Sequence, residues 1–83
     1  MSGTTWSWCH DGKNCDGTVY FSKEKQVRFK DRPLSGYWKQ AGNTLEFAVL
    51  PEIDIIHTLN IVNELEAVLI KPKRTPPTKM KGK

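Results

Sequence analysis

Along the first seventy residues, apolar side chains recur at every second position, and this period constrains the fold more than any other feature. Trp6 and Trp8 alternate with Thr5, Ser7 and Cys9, and Val19 and Phe21 with Thr18 and Tyr20. Val27 and Phe29 alternate with Gln26, Arg28 and Lys30, and Leu45, Phe47 and Val49 with Glu46 and Ala48. Ile55, Leu59 and Ile61 share a phase with His57, and Leu65, Ala67 and Leu69 alternate with Glu64, Glu66 and Val68. Successive strand side chains point to opposite faces, so each run presents one face to a core and one outward.

Turn chemistry separates the runs. Asp11-Gly12, Asp16-Gly17 and Gly42-Asn43 supply residues that tolerate positive φ, and Gly42-Asn43 has the placing of a hairpin turn. Lys23-Glu24-Lys25 is a polar tip, and Asn63-Glu64 a short break. Arg32-Pro33 and Leu50-Pro51 mark looser connections, because proline lacks the donor that a central strand needs. These signals predict strands near 5–17, 18–22, 26–30, 35–40, 44–50, 54–61 and 64–70. Residues 52–70 also carry a helix-like spacing through Ile55, Leu59, Val62 and Glu66, but their many β-branched residues favour two strands. The expected fold is all-β: one small antiparallel meander of six to seven strands, as a curled sheet or small barrel.

Eighty-three residues suffice for one domain with a thin core, to which eight aromatic residues contribute. No apolar run is long enough to span a membrane as a helix, and the first residues lack the layout of a signal peptide. An intracellular location, cytoplasmic or nuclear, with no membrane partner, is therefore expected.

The net charge of +4 is unevenly distributed. Residues 1–70 hold seven basic and nine acidic side chains, whereas 71–83 hold six cations and no acid. The tail cations are Lys71, Lys73, Arg74, Lys79, Lys81 and Lys83, spaced by three prolines and one apolar side chain, Met80. Such a segment buries too little to offset its ordering entropy, so 1–70 is read as the domain and 71–83 as a disordered basic tail. Its removal is expected to leave the fold intact.

Candidate chemistry is sparse. Cys9, His10 and Cys15, with His57 elsewhere, contain zinc-ligand types, but their spacing matches no standard finger and lacks a second close pair. A Cys9–Cys15 disulfide fits a reversed chain, yet a reducing compartment makes two free thiols the expectation. No nucleophile elbow, paired-carboxylate spacing or phosphate-cradling glycine loop is present, so neither catalysis nor a cofactor is expected. The aromatics say more. Tyr37 and Trp38 are adjacent and must face opposite ways, as must Tyr20 and Phe21. Tyr20, Tyr37 and Trp38 are thus candidates for a contact surface, while the bland alternative makes Tyr20 and Tyr37 cross-strand neighbours on the outer face.

The succession Trp6, Trp8, then Gly17, Val19, Phe21, then Val27, Phe29, then Gly36, Trp38, Gly42, Asn43, Leu45 and Phe47 resembles the lipocalin-type (calycin) meander, in a chain about half the family's usual length. The resemblance implies a non-enzymatic binding protein with a small ligand at the barrel mouth. A barrel this small is expected to be filled by its own side chains, and an open sheet to leave edges for a homodimer or an added strand.

Three functions follow as expectations. The first is a binding or adaptor domain that contacts a protein or acidic partner through Tyr20, Tyr37, Trp38 and the tail cations. The second is nucleic-acid binding, with the tail on phosphates and aromatics stacking on bases. The third is a small-ligand carrier of lipocalin type.

Overall fold

The structure, a computed structural model, describes residues 1–82. Eight strands follow one another: β1 (Thr4–Cys9), β2 (Cys15–Phe21), β3 (Gln26–Phe29), β4 (Ser35–Ala41), β5 (Thr44–Val49), β6 (His57–Asn63), β7 (Glu66–Lys71) and β8 (Lys79–Gly82). Each pairs antiparallel with its neighbour in sequence, and β8 pairs with β1, which closes the sheet into a barrel. Most of the alternating residues fall where the period places them, whereas Ile55 and Leu65 are exposed in the connections before β6 and β7. Trp6, Val19, Phe21, Val27, Trp38, Leu45, Phe47, Leu59, Ala67 and Leu69 are buried inside, and residues 57–63 and 66–71 are strands, not helix.

Phe47 is the centre of the aromatic core. Its ring lies 5.8 Å from Trp8, 6.2 Å from Phe21 and 6.3 Å from Phe29, all in edge or tilted contact. Such pairs add about 0.5–1.5 kcal/mol each beyond the area they bury. Trp38 also faces inward, and its indole Nε1 donates to the Ser22 carbonyl at 3.1 Å. The Lys25 ammonium sits 4.3 Å from the Trp38 ring centre. Gly36 permits a close approach of β4 to β5, because a Cβ there would collide with the Ala48 carbonyl oxygen.

Four expectations are corrected. First, the strand count is eight, because the tail adds a strand; 5–17 divides at a turn, and its second half joins 18–22 in β2. Second, the described part of 71–83 is not a disordered appendage: β8 fills the gap between β1 and β7, placing Met80 opposite Trp8 and Ala67 in the core. A single apolar side chain is a poor disorder-beating signal on its own. Here two strands already aligned supply main-chain partners on both sides, so a four-residue segment suffices. Lys83 lies outside the described residues. Third, the closed barrel leaves no open edge for strand addition or edge-to-edge dimerisation. Fourth, Cys9 and Cys15 are bonded to each other across the β1–β2 pair, not free, because the turn at residues 10–14 makes them register partners. The disulfide removes both sulfurs from any zinc set.

Candidate functional site

Because every pairing is antiparallel, the connections alternate between the two barrel ends. Tight turns at 22–25, 42–43 and 64–65 close one end, while longer connections at 10–14, 30–34, 50–56 and 72–78 surround the other. The inward residue nearest the open end of each strand therefore meets its counterparts there. Trp8, Phe29 and Phe47 form an aromatic floor, His57 stands beside them, and Arg32 and Arg74 reach in from two different loops. Together they line a cleft of about 410 Å³.

The rim is organised around two acids. Asp16 faces His10, with Nδ1–Oδ1 at 3.5 Å, and Arg32, with Nη2–Oδ2 at 3.9 Å. These groups are half exposed, so each pair contributes at most about 1 kcal/mol, and the Asp16 carboxylate partly offsets the Arg32 charge. Asp11 holds the turn: its Oδ1 accepts from the main-chain N–H groups of Lys13 at 2.8 Å and Asn14 at 2.6 Å. Those bonds to Asn14 and Lys13 stabilise the ionised form and lower its pKa to about 2. Gly12, with φ +82°, lies where a Cβ would come 3.0 Å from the Pro77 carbonyl oxygen, so the first and last mouth loops meet there.

Arg74 differs from Arg32. It makes no ion pair among the described residues, and its charge acts on His57. The His57 ring stacks on Phe47, with centroids 4.9 Å apart and planes 15° from parallel. Its Nδ1 is buried without a hydrogen-bond partner. Burial lowers the His57 pKa first, the Arg74 charge lowers it further, and Glu52 acts in the opposite direction. The first two effects disfavour the charged imidazole, and among the described residues that line the cleft Arg74 is the arginine without an ion pair.

No family model, no curated protein and no solved structure matches this chain. The closed eight-stranded barrel is compatible with the lipocalin-like architecture that the sequence resembles.

The residues singled out from sequence do not form one surface. Tyr20 and Tyr37 do face outward, but β3 separates their strands: Tyr20 is opposite Arg28, and Tyr37 opposite Gln26 and Ala48. They are not cross-strand neighbours. Trp38 is buried and belongs to the core, so it offers no contact face. The cations also scatter. Lys71 ends β7, Lys73 and Arg74 lie on the following loop, and Lys79 and Lys81 point outward from β8, where the Lys79 ammonium lies 3.8 Å from a Glu66 carboxylate oxygen. Of the metal candidates, Cys9 and Cys15 are bonded together, and no group of three or more metal-ligating side chains occurs among the described residues.

Sequence reasoning missed Trp8, Phe29, Arg32 and Phe47 as site residues. A usable signal existed: in an up-and-down meander, inward residues near the same-side ends of successive strands converge once the sheet closes.

Proposed function

We propose that the protein is a non-enzymatic binding protein whose barrel mouth holds a small organic anion. This is the small-ligand reading that the lipocalin-type resemblance implies, joined to the preference for acidic partners that the basic residues suggested. The observation that carries it is Arg74, a cation with no ion pair among the described residues, beside a cleft floored by Trp8, Phe29 and Phe47. An apolar concavity with few convergent polar groups is the usual form of a small-molecule site. A guanidinium with no partner keeps its full capacity for a carboxylate or phosphate.

The test is amide chemical-shift mapping of the full chain with a panel of organic anions and their neutral analogues. Binding anions should shift residues in 10–14, 30–34 and 72–78. Shifts confined to the outer face around Tyr20 and Tyr37, or none from any anion, would overturn the proposal.

A protein-contact role is the second reading. Tyr37, Leu50, Ile53 and Ile56 favour it, since they are exposed and border a groove of about 360 Å³ on the outer face. Nucleic-acid binding has less support, because the cations are dispersed and Trp38 is not available for stacking.

A further inference from the structure

Resting on that reading, we propose that the ligand is a flat aromatic monocarboxylate, its ring against the aromatic floor and its carboxylate on the Arg74 guanidinium. Depth is the first argument. Beneath the floor, Val19, Phe21, Val27, Leu45, Leu59 and Met80 are fully buried and fill the barrel. None of them lines the cleft. A long acyl chain therefore has no interior to enter, and at about 410 Å³ the cleft is at the small end of ligand sites.

Shape is the second argument. Phe47 and His57 already stand nearly parallel at 4.9 Å, while Trp8 meets Phe29 edge-on at 5.7 Å. Walls built of ring faces and edges suit another planar π system better than a flexible aliphatic body, because aromatic pairs gain from stacked and T-shaped geometry.

Charge is the third. Arg32 is opposed by Asp16, which also faces His10, and burial and the Arg74 charge disfavour a charged His57. Among the described residues that line the cleft, Arg74 is left without an ion pair, and its planar fork matches one carboxylate through two parallel hydrogen bonds. A dianion would bring a second charge with no counterpart in the cleft.

Four probes separate the terms: 1-naphthoate, the neutral 1-naphthalenemethanol, the dianionic 1-naphthyl phosphate and dodecanoate, each titrated into the full chain by calorimetry. Naphthoate should bind about tenfold tighter than the alcohol, as one charge-assisted contact implies, and tighter than both the phosphate and dodecanoate. Arg74→Gln should remove that tenfold advantage while leaving the alcohol's affinity unchanged, and Arg32→Gln should have a smaller effect. Dodecanoate or the phosphate binding tighter than naphthoate would overturn the ligand class while keeping the mouth as an anion site, and an unchanged naphthoate affinity in Arg74→Gln would overturn Arg74 as the partner of the anion. No binding by any probe would overturn the ligand class together with the small-ligand reading.

Discussion

The hydroxyl of Thr78 donates to the main-chain carbonyl of His10 at 2.7 Å, joining two residues separated by 68 positions. Thr78 is fully buried, and its own carbonyl accepts from the Leu69 N–H at 2.8 Å. One residue before β8 thus ties the last mouth loop to the first, so the segment that closes the barrel also shapes the site.

Replacing Thr78 with Val keeps the shape and deletes the donor. The His10 carbonyl loses its partner, which should cost about 1–2 kcal/mol by urea denaturation. Amide shifts should concentrate in 10–14 and 72–78. Wild-type stability in Thr78→Val would show that this link contributes nothing.

Met80 is the one apolar side chain that β8 delivers to the core. Met80→Ala should destabilise the fold by about 2–5 kcal/mol. Ending the chain at residue 70 should abolish cooperative thermal unfolding, because β1 and β7 would each lose a partner strand. A truncated chain that melts as sharply as the full one would make β8 dispensable.

The Cys9–Cys15 bond closes a short loop that carries His10 and Asp11. Reduction by a dithiol should lower stability by about 2 kcal/mol on a chain-entropy account of so short a loop. Mass spectrometry of the alkylated, unreduced protein gives the direct check: two modified thiols would contradict the bond.

His57 predicts a pH dependence with a definite sign. Its folded pKa lies below the ordinary value of 6.5, so near and below that value the unfolded chain binds more protons than the folded one. The stability it contributes is therefore complete above pH 6.5 and lost as pH falls through the folded pKa. Urea midpoints at pH 7.5 and pH 5.5 should show a drop that is smaller in His57→Gln. An equal drop in both proteins would assign the effect to other groups.

The fold was legible because its signal is local. Period two in Trp6–Trp8, Val19–Phe21, Val27–Phe29 and Leu45–Phe47 assigns inward faces without knowledge of partners, and Gly42-Asn43 marks its hairpin, Gly42 having φ +60°. Trp38 was misplaced on the surface because alternation shows that Tyr37 and Trp38 oppose each other but not which of them is inside. The register of β4 against β5, with Trp38 opposite Phe47, decides that. The tail was misread for a related reason. Lys79-Met80-Lys81 has almost no hydrophobic content, and its order depends on main-chain groups of β1 and β7 that composition cannot reveal.

The sequence by itself determined an antiparallel all-β chain, the phase of its strands and most of its core, since these depend on residues two apart and on turn chemistry. Tertiary structure alone decided closure, the Cys9–Cys15 pairing and the mouth. Arg32, Phe47, His57 and Arg74 belong to separate strands and loops, and they meet only because a closed barrel gathers the same ends of its strands into one ring.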